Sequence, residues 1–292
     1  MKFTQRLAIG YIQTKFKLLT ALSKKKAAEQ AFILFSTPYL KSKRAAYPKN
    51  AEQLSFTLDL PVYKEQMKGK PSAIKVKGYR WNHPQAAKVL ILHGFGSAAC
   101  KFERYVSPLV KKGYEVLAFD APAHGDSGGT TTNAVEYSAM IRKVMALYGP
   151  VNGFIAHSFG GIALSLALEE SAHDENTRIA FIAPATETTS AVDAAFAMLK
   201  INDAGVRKEF DQIIFNLSGK ETAWFSIRRA MNNINARVLW IHDEDDDVTP
   251  LSDALKVKEE NHSNIEFVIT KGLGHRKIYH DPGIKKRVTE FL

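Results

Sequence analysis

Six short apolar runs between residues 88 and 270 constrain the fold of this chain most strongly. Each run covers five or six residues, and helix-length segments separate most neighbouring runs. Such runs are typical of strands that are covered on both faces, as in a parallel sheet. They are 88–93, 115–120, 153–157, 178–183, 237–242 and 265–270. Two further runs, 54–60 and 73–81, predict an opening pair of strands. We therefore expect an α/β fold with a mostly parallel, eight-stranded central sheet flanked by helices.

The composition is ordinary for a globular protein. Of the 292 residues, 45% are hydrophobic and 24% are charged, which fits one large α/β domain or two small ones. The single cysteine, Cys100, excludes an intrachain disulfide and favours a reducing compartment. We therefore expect a cytoplasmic protein.

The segment 153–164, GFIAHSFGGIAL, places a serine between a strand and a helix. Ser158 lies on the turn, with the small residues Ala156 and Gly160 two positions away on either side. Small neighbours are needed where a strand and a helix approach closely. The segment resembles the nucleophile elbow G-x-S-x-G of the α/β-hydrolase family, with Ala156 in place of the first glycine.

A serine nucleophile needs a base, and the base needs an orienting carboxylate. The α/β-hydrolase family supplies them in the chain order serine, acid, histidine. After the run 237–242, DEDDDVTP resembles the acid loop of that family, with Asp243 in place of a glycine. The resemblance implies Asp246 as the acid, with Asp245 as the alternative. His275 follows the last strand in a G-x-G-H turn, where the family places its base.

Two further loops resemble loops of the same family. LILHGFGSAA (90–99) is similar to its oxyanion loop. The resemblance implies that the backbone N–H groups of Phe95 and Phe159 stabilise the oxyanion, and that His93 orients the loop. FDAPAHGDSGG (119–129) is similar to a shaping loop, so we expect structural roles for the side chains that this loop carries. These are Asp120 and His124.

Two further polar features need interpretation. His157, directly before the nucleophile, either contacts substrate or packs. The acidic run 243–247 lacks the glycine and the terminal glutamate of a calcium loop, so we interpret it as a solvated loop that contains one catalytic acid.

About fifty residues, roughly 186–234, separate two predicted strands, which is far more than an ordinary connection. Their pattern predicts helices, and members of the α/β-hydrolase family often carry a helical lid here. The lid's apolar residues line an acyl pocket over Ser158 or form the lid's own core. They are Phe196, Met198, Leu199, Phe210, Ile213, Ile214, Phe215, Trp224 and Phe225.

Residues 1–50 hold eleven Lys and Arg residues and one acid, Glu29, which accounts for the whole net charge of +10. The remaining residues are neutral overall, so a nucleic-acid partner is not expected. Apolar residues recur at helical spacing, and they are Phe3, Leu7, Tyr11, Leu18 and Leu22. We expect a basic helical arm before a hydrolase domain at 51–292. Residues 1–26 either lie on an anionic membrane surface or pack on the body or on a partner subunit. A mitochondrial transit peptide has a similar composition and is a third interpretation of this segment.

The resemblance implies a serine hydrolase, most simply a carboxylesterase acting on small to medium acyl esters through Ser158, His275 and Asp246. This chemistry requires no cofactor and no metal. Thioesterase, lipase, peptidase and carbon–carbon bond hydrolase activities use the same machinery and stay open. The alternative from another class is a non-catalytic binding protein with the same fold.

Overall fold

A computed structural model describes residues 3–39, 50–60 and 72–292. The chain forms one eight-stranded sheet in the order β1-β2-β4-β3-β5-β6-β7-β8. Its strands are β1 (Glu52–Asp59), β2 (Ala73–Trp81), β3 (Lys88–Leu92), β4 (Glu115–Phe119), β5 (Gly153–His157), β6 (Arg178–Ile182), β7 (Arg237–Asp243) and β8 (Ile265–Thr270). β1 pairs with β2, and β2 with β4, in antiparallel register, and all other pairs are parallel. The predicted fold class is confirmed.

Eleven α-helices lie within the described residues. They are α1 (Phe3–Leu22), α2 (Lys24–Ser36), α3 (Glu103–Lys111), α4 (Ala134–Tyr148), α5 (Phe159–Leu168), α6 (Thr188–Leu199), α7 (Ala204–Ser218), α8 (Ile227–Ala230), α9 (Leu251–Glu259), α10 (Gly274–Lys277) and α11 (Pro282–Phe291). None of these helices combines the length and the apolar character that crossing a bilayer requires.

The sheet is buried on both faces, as its apolar runs predict. In β3, Leu90 and Leu92 pack on one side with α4 and α5, whereas Val89 and Ile91 pack on the other with α3 and α11. All four side chains are at most 1% exposed. Because alternate residues of a strand point to opposite faces, a strand sandwiched in this way is apolar throughout.

The segment between β6 and β7, residues 183–236, contains α6, α7 and α8 and is called the insert below. Asp203 begins α7 as its N-cap, and Gly219 ends it with a φ of 69°. Left-handed glycines of this kind commonly end helices. The helices therefore lie where the lid is expected, and the function of the insert as a lid stays a prediction.

The N-terminal helices α1 and α2, called the arm below, pack on the insert. The ring of Phe32 in α2 lies 5.6 Å from the ring of Phe210 in α7, and the ring of Phe35 lies 5.8 Å from it. Lys24 forms an ion pair with Asp203. The arm therefore contributes apolar surface to the main core on the face of the sheet that carries the insert.

Part of the predicted arm cannot be compared with the structure. Residues 40–49, with four of the basic residues, lie outside the described residues, as does Lys2. The side chains of Phe3, Arg6 and Leu7 also lie outside them. The division of the chain at residue 50 stays a prediction.

Candidate active site

Ser158 lies at a sharp turn between β5 and α5, with φ 52° and ψ −119°. A residue other than glycine adopts such a combination of φ and ψ only under strain, and strained residues of this kind concentrate at functional sites. The turn needs small neighbours. A Cβ on Gly160 would lie 2.8 Å from the Leu92 carbonyl oxygen, and one on Gly161 would lie 2.6 Å from Cβ of Pro184. Ala156, in contrast, is buried within β5 without disturbing the turn.

The three predicted side chains converge at one edge of the sheet. Ser158 Oγ lies 3.0 Å from Nε2 of His275, and Nδ1 of His275 lies 2.8 Å from Oδ2 of Asp246. Ser158 and His275 are both buried to the same degree, with 7% of each residue exposed. A base within hydrogen-bond reach of a hydroxyl, itself oriented by a carboxylate, is the arrangement that activates a serine.

Asp246 is fixed by its own loop. Its Oδ1 accepts the amide N–H groups of Val248 and Thr249 at 2.9 and 2.8 Å, and its Oδ2 lies 2.9 Å from the Thr249 hydroxyl. Burial acts to raise the pKa of Asp246. Three interactions outweigh burial and lower this pKa: the hydrogen bond from His275, the charge of His275, and the hydrogen bonds from the two backbone amides. Asp246 is therefore held as a carboxylate beside His275.

The sequence did not point to Asp243, which connects the acid loop to the histidine loop. Its carboxylate accepts the amide N–H groups of Leu273 and Gly274, at 3.1 and 2.8 Å, and the hydroxyl of Thr270 at 2.7 Å. The only signal in the sequence is that Asp243 replaces the glycine of the family pattern. The alternative acid, Asp245, does not reach His275 in this arrangement, since its Oδ2 accepts the N–H of Gly272 at 3.0 Å.

The predicted oxyanion loop lies against the serine. A Cβ on Gly94 would lie 2.9 Å from Cβ of Ser158, so the backbone before Phe95 passes directly beside the nucleophile. The ring of Phe95 contacts the ring of Phe159, with 5.5 Å between centroids. His93 donates from Nδ1 to the Gly94 carbonyl at 2.8 Å and accepts the Ala121 N–H at Nε2 at 2.9 Å. These bonds fix the backbone from which the Phe95 amide projects.

His157 packs in the region of the site and does not line the cavity beside Ser158. Its ring centroid lies 4.5 Å from that of Tyr279 and 4.8 Å from that of His275. Its Nε2 lies 3.2 Å from the His275 carbonyl oxygen. Burial and the neighbouring charge of His275 lower the pKa of His157 to about 3. His157 is therefore a neutral ring, and the structure favours the packing interpretation.

Asp120 and His124 make the contacts expected of structural residues. Asp120 accepts the N–H groups of Ala99 and Asp126 at 2.8 and 3.0 Å. His124 accepts the N–H of Gly96 at 2.9 Å through Nε2. Both side chains therefore connect the two glycine-containing loops next to the site.

A cavity of about 1390 Å³ extends from Ser158 and His275 to the insert and the arm. Six of the apolar residues predicted for the insert line it, and they are Phe196, Met198, Leu199, Phe210, Ile214 and Phe225. Ile213, Phe215 and Trp224 do not. The lining is mostly apolar, with the polar side chains of the serine and histidine region exposed to the same space.

A mostly parallel sheet with a serine at the strand–helix elbow, followed along the chain by an acid and a histidine at strand ends, defines the α/β-hydrolase class. Residues 89–282 match the alpha/beta hydrolase family, and the chain belongs to this family.

Three proteins whose names include the word esterase align with most of this chain. A Mycoplasma genitalium protein, provisionally named esterase/lipase 2, is 26% identical over 238 residues, which cover 70% of this chain and 88% of that protein. The solved structure of the Pyrococcus furiosus esterase Pf2001 has a TM-score of 0.61 at 21% identity, over 88% of this chain and 95% of the esterase. An esterase from Exiguobacterium antarcticum has a TM-score of 0.51 at 20% identity, over 74% and 93%. At these identities the two structures establish the shared fold.

Proposed function

We propose that this protein is a serine carboxylesterase. The observation that carries the proposal is the chain of contacts from Ser158 through His275 to Asp246 at 3.0 and 2.8 Å, opening on a cavity. A cytoplasmic location, which the single cysteine favours, belongs to the same proposal.

In the first half of the reaction, Nε2 of His275 takes the proton of Ser158 as Oγ attacks the ester carbonyl. Asp246 accepts Nδ1–H and stabilises the imidazolium that forms. The negative charge that develops on the carbonyl oxygen is stabilised by the N–H groups of Phe95 and Phe159, and each such donor contributes roughly 100- to 1000-fold in rate. The imidazolium then protonates the leaving alkoxide, and an acyl-enzyme on Ser158 results.

In the second half, His275 deprotonates a water molecule that attacks the acyl-enzyme. The tetrahedral intermediate collapses, Ser158 recovers its proton from His275, and the carboxylic acid leaves. Every proton that moves is carried by His275, so the reaction needs only this chain and water.

A fluorophosphonate probe tests the proposal, since it labels a serine only when the hydroxyl is activated. We expect one phosphonyl group on the peptide that contains Ser158, together with turnover of p-nitrophenyl esters. Ser158→Ala should lose both. Ser171→Ala, at a half-buried position after α5, is the matched control and should retain both.

A folded wild-type protein that hydrolyses no ester and takes up no probe would instead favour the non-catalytic binding protein. Labelling without ester turnover would show that the serine is activated but that the substrate is a thioester, an amide or a compound cleaved at a carbon–carbon bond.

A further inference from the structure

The arm forms part of the cavity that contains the proposed nucleophile. The lining contributed by α1 and α2 includes Ile9, Ile12, Phe32 and Phe35, whereas Ser158 lies in the same continuous space. Although residues 1–50 carry the net charge of the chain, every lining residue that the described arm contributes is uncharged. The arm therefore presents apolar surface to whatever occupies the cavity.

Contacts on two sides hold the arm in this position. Gln13 of α1 donates to the Met198 carbonyl in α6 at 2.8 Å. At the end of α2, the carbonyl of Ser36 accepts the N–H of Thr132, in the loop before α4, at 2.9 Å. Since the arm is attached to both the insert and the hydrolase body, it is a defined wall of the cavity.

The size of the cavity exceeds the needs of a small ester. Ligand pockets usually have volumes of roughly 300–1,000 Å³, and this cavity has about 1390 Å³. We propose, on the basis of the esterase function above, that α1 and α2 form a wall of the acyl-binding site and that the substrate is an ester of a long acyl chain, longer than the small to medium chains that the sequence analysis anticipates. The carbonyl lies at Ser158, and the chain runs between the insert and the arm.

Bulk added to the inner face of α1 tests this proposal. Ile12→Trp places an indole in the cavity, whereas Ala21→Trp places the same group at an exposed position of the same helix, outside the cavity lining. We expect Ile12→Trp to lower kcat/KM for p-nitrophenyl palmitate at least about tenfold, which corresponds to about 1.4 kcal/mol, because the indole takes up space along the path of the acyl chain. The acetate ester, which does not reach the arm, should be hydrolysed at the wild-type rate. Ala21→Trp should leave both rates unchanged.

Ile9→Trp provides a second variant should Ile12→Trp fold poorly. An unchanged ratio of palmitate to acetate rates in both folded variants overturns the arm proposal and leaves the esterase function standing. Failure of the esterase function has a different signature, which is loss of both ester activities and of fluorophosphonate labelling in the wild-type protein.

The outer face of α1 carries a second, independent feature. Tyr11, Leu18 and Leu22 are 74%, 62% and 83% exposed. Their spacings of seven and four residues place them on one side of the helix, and the cavity-lining residues Ile9 and Ile12 face another side. The neighbouring Lys15 is exposed, as are Lys25 and Lys26.

We propose that this outer face binds an anionic phospholipid surface. An exposed apolar stripe bordered by lysines is the composition of helices that lie in the membrane interface, and the arm's excess positive charge complements anionic headgroups. Residues 51–292 have no net charge, so they would not repel an anionic surface. Such docking would bring the acyl-binding cavity next to a source of long-chain esters.

Sedimentation with phosphatidylcholine vesicles, with and without phosphatidylglycerol, tests the second proposal. We expect binding only to the vesicles with phosphatidylglycerol, release at high salt, and loss of binding in Leu18→Glu/Leu22→Glu. Leu147→Glu alters an exposed leucine of α4 and should bind as the wild type does. Equal binding to neutral vesicles, or no effect of the double variant, overturns the proposal. A wild-type dimer that the double variant dissociates, without vesicle binding, assigns the stripe to a second copy of the chain.

Discussion

The carboxylate of Asp243 accepts the amide N–H of Gly274 over 2.8 Å, and Gly274 directly precedes His275 in the chain. The same carboxylate also holds Leu273 and Thr270. The end of β7 therefore fixes the loop that presents His275. A position in the acid loop thus determines where the proposed base points, although its side chain does not contact the serine.

We expect Asp243→Asn to lower kcat about 100-fold with little change in KM, because a displacement of about 1 Å at a catalytic group has this effect. The amide of asparagine cannot accept all the donors that the carboxylate accepts. Glu244→Gln makes the same change of charge at an exposed position of the same loop, outside the cavity lining, and should be nearly silent. Steady-state kinetics on one soluble ester, with far-UV circular dichroism to establish folding, measures both variants. Equal rates in the two variants would contradict a positioning role for Asp243.

Asp246→Asn should reduce the rate by roughly four orders of magnitude, since asparagine stabilises the wrong tautomer of the histidine. Asp245→Asn should have a small effect, because Asp245 accepts the N–H of Gly272 and lies outside the His275 contact. Single-turnover measurements with p-nitrophenyl acetate compare the two directly. A larger loss in Asp245→Asn than in Asp246→Asn would reassign the acid.

The sequence predicted the sheet and the positions of the three central side chains for identifiable reasons. Strands buried on both faces are apolar throughout, and parallel strands bring their carboxyl ends to one edge. Ser158, Asp246 and His275 each follow such a strand, so their proximity could be anticipated without any knowledge of strand order. Their catalytic roles stay predictions.

The function of Asp243 and the position of the arm could not be read in the same way. Asp243 occupies a place where the family pattern has glycine, and a loop aspartate gives no indication of which amides it will accept. α1 is apolar on two sides, with Phe16 buried and Leu18 exposed. The pattern therefore favoured a helix but did not specify which side meets the insert. The sequence presents packing on the body and contact with a membrane surface as alternatives. The two are compatible, because they can involve opposite sides of α1.

Gly160→Ala should destabilise the protein by about 1–3 kcal/mol, the usual cost of overfilling a packed site. The new Cβ would lie 2.8 and 2.9 Å from the carbonyl oxygens of Leu92 and His93, and backbone atoms cannot move aside cheaply. Gly10→Ala is the matched control. A Cβ there meets no atom within 4 Å, and a mid-helix alanine is favoured over glycine by about 1 kcal/mol. In urea unfolding, the midpoint concentration should therefore fall for Gly160→Ala and rise for Gly10→Ala. A shift of both midpoints in the same direction would contradict this account of the elbow.

The stability of the protein should depend on pH through its buried histidines. Burial lowers the pKa of His93 to about 4, and burial together with the charge of His275 lowers the pKa of His157 to about 3. In the unfolded chain a histidine titrates near 6.5. Between that pH and the folded values, the unfolded state binds more protons than the folded state. The free energy of unfolding therefore falls as the pH is lowered, by up to about 1.4 kcal/mol per pH unit for each histidine.

His157→Phe isolates one of these contributions, because phenylalanine retains the ring contacts with Phe102 and Tyr279 and cannot take up a proton. From pH 6.5 down to about 4, the free energy of unfolding of this variant should fall less steeply than that of the wild type, by close to one proton. Above pH 7.5 the two proteins should show parallel pH dependence, since His157 is then neutral in both the folded and the unfolded state. Chemical denaturation at a series of pH values measures both slopes. Identical slopes at acidic pH would mean that His157 takes up its proton in the folded protein as readily as in the unfolded chain.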